Sequence, residues 1–277
     1  MIEDPAREAV RRALAEDLGE ESDLTTEAIV PATSRGRAIL VARQDAVLAG
    51  AEAFEAAFGE YDHHVNVAWS AKDGDRVREG DAVAVVEGPL RAILTAERTA
   101  LNFLQRLSGV ATPTRRFVDA AGGIEIRDTR KTTPGLRLLE KSAVRAGGGV
   151  NHRMGLHDAY LIKDNHVAAA GGIGAAVARA REARPGLWIE VECETIEQVR
   201  EAAGAGADEI LLDNMDLPAL SEAVRIAKGC ARTEASGGVT LENVAAIAAT
   251  GVDSISVGAL THSAPAVDFS LELEAGE

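Results

Sequence analysis

From residue 124 onward, short apolar runs alternate with helix-like segments, and that alternation constrains the fold more than any other feature. The runs are IEIRDTR (124–130), AYLIKD (159–164), WIEVE (188–192), EILLDN (209–214), ARTEASGG (231–238) and SISVGA (254–259). Between them, residues 135–147, 167–184, 195–204, 216–229 and 240–250 carry helix-like patterns. A series of β–α units implies a parallel sheet with right-handed crossovers. The strands read as continuous Ile/Leu/Val, the pattern of strands buried on both faces. No GxGxxG turn follows the first run, which favours a barrel over an open doubly wound sheet. Six units fall short of the usual eight, so the barrel should be incomplete.

The chain before this series obeys a different grammar. Residues 3–18 read as an amphipathic helix and 51–58 as another. From about 36 to 94 the runs are short and broken by Gly, Asp-Gly and Gly-Pro, the signature of an antiparallel sheet with turns. DGDRVREGDAVAVVEG resembles a lipoyl-carrier strand pair, but Lys72 precedes the turn instead of sitting in it, so the segment reads as structural. ERTALNFLQRLSGVATPTRRFVDAAG, from Glu97, then spaces its apolar residues for a helix.

Composition excludes several classes. No apolar run approaches the ~20 residues a membrane span needs. The charged start, MIEDPAREAVRRALAED, lacks the apolar core of a secretion signal. Cys193 and Cys230 are too few for a disulfide scaffold or a four-ligand zinc site, and read as buried thiols of a reducing cytoplasm. A net charge of −15 argues against nucleic acid as a partner. Only five of the 29 basic residues are lysines, which fits either a high-salt cytoplasm or a GC-rich genome.

Against that acidic background, residues 127–163 hold eight Lys/Arg and three acids, a local balance of 8 − 3 = +5. Reacting groups of parallel barrels gather at the C-terminal strand ends. Here those ends carry Asp128 to Thr133, Lys163 to His166, Glu192, Asp213-Asn214, Glu234 with Ser236-Gly237-Gly238, and Gly258. A positive pocket in a negative protein predicts a strongly anionic small ligand held by charge-assisted bonds. Arg127, Lys141 and Arg145 have the plainer reading of ion pairs on helix surfaces. Glu192 and Asp213 suit Mg²⁺, which takes one or two carboxylates plus phosphates and water. The glycine turns at 236–240 and 257–260 suit a phosphate at helix starts.

These residues resemble quinolinate phosphoribosyltransferases over essentially the whole chain. The most specific segments are ERTALNFLQRLSG (97–109), DTRKTTPGLRLLEKSAVRAGGGVNHRMGLHDAYLIKDNH (128–166), IEVE (189–192), LLDN (211–214), EASGG (234–238) and SVGALTHS (256–263). The resemblance implies an N-terminal α/β sandwich, expected over 1–108 with the tail 265–277, and an incomplete α/β barrel over 109–264. It implies reaction of quinolinate with phosphoribosyl pyrophosphate (PRPP) to nicotinate mononucleotide, pyrophosphate and CO₂, with Mg²⁺, in a cytoplasmic homodimer. Arg130, His152, Arg153 and Lys163 would surround the quinolinate carboxylates, with Lys131 nearby. Arg98 would reach the neighbouring subunit's site. Glu192 and Asp213 would serve the PRPP ribose and Mg²⁺; Ser236, Gly237 and Gly258 would hold the 5′-phosphate. The resemblance thus places catalysis on Lys131, Lys163, Glu192 and Asp213. Lys163, His152 or a water would supply the proton after CO₂ departs. Ser142 stands where the family often has an aromatic residue, which bears on local packing.

Three rivals differ in chemistry. A paralogous pyrophosphorylase associated with molybdenum transport shares the PRPP elements. A Schiff-base aldolase would use Lys163 as nucleophile, and a non-catalytic ligand sensor would lack Glu192 or Lys131. The set Arg130, His152, Arg153 and Lys163 favours quinolinate.

Overall fold

The computed structural model describes residues 5–274. Its elements run α1 (Pro5–Leu18), α2 (Leu24–Ile29), β1 (Arg35–Ala42), β2 (Ala46–Val47), α3 (Ala51–Tyr61), β3 (Asn66–Trp69), β4 (Arg76–Val77), β5 (Ala82–Pro89) and α4 (Leu90–Ala120). Then follow β6 (Glu125–Arg127), α5 (Arg137–Ala146), β7 (Tyr160–Ile162), α6 (Asp164–Ala170), α7 (Ile173–Ala183), β8 (Ile189–Cys193) and α8 (Ile196–Ala205). The chain ends with β9 (Glu209–Asp213), α9 (Leu217–Ala227), β10 (Arg232–Ser236), α10 (Val244–Ala248), β11 (Ser254–Ser256), α11 (Ala259–His262) and β12 (Phe269–Leu273).

Two compact units emerge. The first gathers the chain up to Arg115, residues 132–148 and the chain from Leu260 onward; the second comprises 116–131 and 149–259. The sequence grammar placed 132–148 within the barrel, but α5 packs on α1, and its Ala143 and Val144 join the first unit's core. Ser142 on α5 is exposed, so a small polar side chain there leaves no packing defect.

The first unit is an antiparallel sheet of order β12-β1-β5-β3 with helices packed on it. Alternation along β1 buries Ala38, Leu40 and Ala42 on one face. They meet a core containing Phe54, Phe58, Leu101 and Leu104, where each fully buried Leu or Phe contributes about 1.5–3 kcal/mol. Strand β12 returns antiparallel to β1, pairing Ala38 with Leu273 and Ala42 with Phe269. The turn at Gly147 presses against α4, where a Cβ would lie 2.6 Å from the Ala111 carbonyl. That close approach gives Gly147 a packing role.

The second unit is a six-stranded parallel sheet of order β6-β11-β10-β9-β8-β7. Val150 bridges Arg127 in parallel beyond the β6 edge, and the sheet does not close, giving an incomplete barrel. Its crossover helices have legible ends. Thr195 caps α8 through the Gln198 N–H while the Gln198 side chain returns to the Thr195 N–H. Asp216 caps α9, with Pro218 in its first turn. The expected helix over 240–250 contracts to α10, so Gly237 lies in an extended turn well before it.

The strands depart from the expected apolar runs. Helix-facing Ile189, Val191, Ile210, Leu212 and Ile255 are fully buried, but Glu190, Glu209, Glu234, Ser254 and Ser256 occupy alternate, equally buried positions. The inner face is therefore ionic. Cys193 is buried as expected, whereas Cys230 is exposed. Among the described residues no helix is long and apolar enough to cross a membrane.

Candidate active site

Polar residues inside the second unit form one connected network. Arg127 on β6 donates through Nη1 to Glu209 and Glu234, at 2.9 and 2.8 Å. Two strands separate β6 from β9 in the sheet, so this reach reports the curvature that makes the sheet a partial barrel. Arg127 thus pairs in the interior, not on a helix surface as the plainer reading had it. Burial would favour its neutral form, but the Glu234 and Glu209 charges outweigh that and keep it cationic. Glu234, expected at a strand end, is instead completely buried mid-strand and accepts a bond from Ser256. Burial and the neighbouring Glu190 charge raise its pKa against the opposing His152 and Arg127.

His152 joins this network from the segment beyond β6. Asp128, fully buried, accepts the His152 amide N–H at 3.0 Å and Asn151 Nδ2 at 2.6 Å, fixing the chain as it leaves the sheet edge. The ring Nε2 lies 3.0 Å from Glu190 Oε2 on β8, and Nδ1 accepts the Arg153 N–H at 2.7 Å. Both ring nitrogens are therefore engaged within the protein. Burial lowers the His152 pKa, but the Glu190 hydrogen bond and the Glu234 and Glu190 charges raise it further than burial lowers it.

Arg153 donates to the Ala159 carbonyl at 3.1 Å, which leaves most of its donor fork for other partners. Burial and then the Arg130 charge hold its guanidinium below the ordinary value, partly offset by Glu190 and Asp158. Asp158 accepts the Met154 and Gly155 N–H groups and closes the turn that carries Arg153.

At the strand ends, Lys163 forms an ion pair with Glu192. His166 accepts the Lys163 N–H at 2.9 Å, so this histidine fixes the start of α6. Glu192 and Asp213 project from adjacent parallel strands on the inner face, Glu192 opposite Leu211 and Asp213 two residues further along. Asp213 accepts Asn214 Nδ2 at 2.9 Å. Gly237 has φ +93°, and a Cβ there would overlap Asn214 Oδ1. Only glycine lets this turn approach the Asp213 loop. Ser236 pairs with Asp213 across β9 and β10 and with Ser256 across β10 and β11. Gly258 directly precedes α11.

Arg130, Lys131, His152, Arg153, Lys163, Glu192, Asp213, Ser236, Gly237 and Gly258 all belong to the second unit. Arg98 lies in the first, exposed on α4. Lys141 is also in the first unit and is completely buried. Its neighbour Glu140 accepts from Arg106 at 2.7 Å and from Thr133, and Arg106 also binds the Thr261 and Ala264 carbonyls. Arg106 and Glu140 therefore form a structural hub. Sequence reasoning passed over Glu190 and Glu209; their period-two spacing with Glu192 and Leu211 was the available signal.

The family model for the quinolinate phosphoribosyl transferase C-terminal domain matches residues 110–272, and that for its N-terminal domain matches 23–108. The chain belongs to the quinolinate phosphoribosyltransferase family. It is 47% identical over 261 residues to the probable nicotinate-nucleotide pyrophosphorylase (carboxylating) of Bacillus subtilis, covering 93% of this chain and 90% of that one. The Mycobacterium leprae nicotinate-nucleotide pyrophosphorylase (carboxylating) is 45% identical, covering 98% of each. Among solved quinolinate phosphoribosyltransferase relatives, the Francisella tularensis nicotinate-nucleotide pyrophosphorylase superimposes with a TM-score of 0.94 at 39% identity, over 98% of this chain and 96% of that one. NadC from Streptococcus pyogenes gives 0.93 at 43% identity, over 96% and 95%.

Proposed function

We propose that this protein transfers the phosphoribosyl group of PRPP to quinolinate and decarboxylates the product, yielding nicotinate mononucleotide, pyrophosphate and CO₂ in NAD biosynthesis. The observation that carries this reading is the Lys163–Glu192 ion pair at the end of β8, in the unit that also holds Arg130, Lys131 and Arg153. Burial and the Arg130 charge both disfavour the charged form of Arg153. A pyridine dicarboxylate suits these cations, and the adjoining carboxylates suit a ribose about to become positive.

In the proposed reaction the quinolinate ring nitrogen forms a bond to C1′ as the C1′–pyrophosphate bond breaks, its electron pair leaving with pyrophosphate. Glu192 and Asp213 offset positive charge developing at C1′. Their hard oxygen donors, on neighbouring strands, fit Mg²⁺, which when bound neutralises charge on the pyrophosphate. Ser236, Gly237 and Gly258 bind the 5′-phosphate. The bond between the ring and the carboxyl beside nitrogen then breaks, CO₂ leaves, and the electron pair remains on the ring carbon. Arg130, Lys131 and Arg153 stabilise that charge. Lys163 supplies the proton, since both ring nitrogens of His152 are already engaged.

The same reading takes the protein as a cytoplasmic homodimer, with Arg98 of one subunit contributed to the site of the other. PRPP-dependent turnover across pyridine mono- and dicarboxylates tests the assignment. Quinolinate is expected to be consumed; turnover of nicotinate without quinolinate would overturn it.

A further inference from the structure

Glu190 is a buried carboxylate outside the residues so far given a role. It is only 2% exposed, one oxygen meets His152 Nε2, and Oε1 accepts no hydrogen bond from the described residues. Burying a carboxylate for a single bond is costly. The bond has a chemical consequence. A carboxylate at Nε2 requires a proton there, which leaves Nδ1 as the lone-pair nitrogen of the neutral ring. Nδ1 is the atom that accepts the Arg153 N–H.

We propose that Glu190 is a positioning residue of the quinolinate site: by accepting the His152 Nε2–H it fixes the tautomer whose Nδ1 holds the Arg153 amide, and so sets where the Arg153 guanidinium stands. The inference rests on Arg153 as a quinolinate ligand. Glu190 acts through His152, and His152 acts through the backbone of Arg153; neither needs to touch substrate.

A second proton on His152 would have to occupy Nδ1, where it would face the Arg153 N–H donor. The groups facing the ring are Glu190 from β8, Glu234 from β10 and Arg127 from β6, with Asp128 on the His152 amide. The two glutamates favour that second proton; Arg127, burial and the Arg153 N–H oppose it. Acid conditions should therefore break the Nδ1 contact and weaken quinolinate binding without a comparable effect on PRPP.

Steady-state kinetics from pH 6 to 9 on the full-length enzyme test this with Glu190→Leu and Glu190→Gln. Glu190→Leu removes the acceptor and should raise the quinolinate KM at least tenfold at pH 8 while the PRPP KM moves less than twofold. Glu190→Gln keeps an acceptor and removes a charge, so it should bind quinolinate more tightly than Glu190→Leu. Its acid-side rise in KM should fall at lower pH than in the parent. Histidine ¹⁵N spectra, with the His152 signal identified by its loss in His152→Asn, should show the Nε2–H tautomer in the parent. If Glu190→Leu does not fold, the Glu190→Gln pH profile and the parent spectrum still decide. An Nδ1–H tautomer, or an unshifted acid limb in Glu190→Gln, would overturn the inference. Arg153→Ala separates the two layers. An unchanged quinolinate KM in that variant would sink the ligand assignment itself. A raised KM there beside an unchanged KM in Glu190→Leu would sink only the role of Glu190.

Discussion

Lys163 and Glu192 form an ion pair across the ends of β7 and β8, linking a predicted quinolinate ligand to a predicted ribose ligand. Such a pair cannot be dissected by single substitutions, because removing either partner frees the other. Lys163→Met and Glu192→Gln should each lower kcat/KM by roughly a hundredfold or more, and the double variant should lose far less than the product. Multiplicative losses in the double-mutant cycle would mean that the pair has no functional coupling.

Arg153 is partly buried, so a bound carboxylate would lose a desolvated partner on truncation. Arg153→Ala should cost about 3 kcal/mol in quinolinate binding, on the order of a hundredfold in KM. A parental KM for quinolinate would remove Arg153 from the site.

The barrel interior separates stability from catalysis. Arg127 holds Glu209 and Glu234, both nearly inaccessible to water. Arg127→Leu should strand these carboxylates, costing about 3–5 kcal/mol and lowering Tm by about 10 °C. Thermal melts read this directly; an unchanged Tm would show that the glutamates find other compensation.

His152 links pH to both properties in opposite directions. Its pKa is raised in the folded chain, so the stability it contributes is complete below its unfolded value of 6.5 and is lost as pH rises through the folded value. The Tm advantage of the parent over His152→Asn should therefore shrink as pH increases above 6.5, over the range where quinolinate binding improves. An advantage that grows with pH would contradict the assigned charge state.

Gly237 is held at φ +93° against Asn214. Gly237→Ala should displace the Asp213 loop, raise the PRPP KM and destabilise the protein by about 1–3 kcal/mol. A rise confined to quinolinate would point to a different use of that turn.

The architecture was legible because β/α alternation is a local pattern, and all six parallel strands lie within the runs read for them or within one residue of their ends. The placement of α5 was not legible: its amphipathic face suits a sheet or a helix equally, and only the tertiary contact with α1 decides. The interior charges were hidden differently. Glu190, Glu209 and Glu234 sit in strands whose neighbours are Ile, Val and Leu, and a run scored by average hydrophobicity conceals every second residue. Asp128, Glu192 and His152 were recognised as polar residues of the site region, but their partners Asn151, Lys163 and Glu190 depend on geometry across strands. Glu234 is mid-strand, not at a strand end, because β10 continues to Ser236.

Carboxyl-labelled quinolinate offers the most direct measurement. With the label on the carboxyl beside the ring nitrogen, the purified protein should release labelled CO₂ only when PRPP and Mg²⁺ are present, one CO₂ for each pyrophosphate formed. Release without PRPP, or pyrophosphate formation from PRPP and quinolinate with the label retained, would contradict coupled phosphoribosyl transfer and decarboxylation at this site.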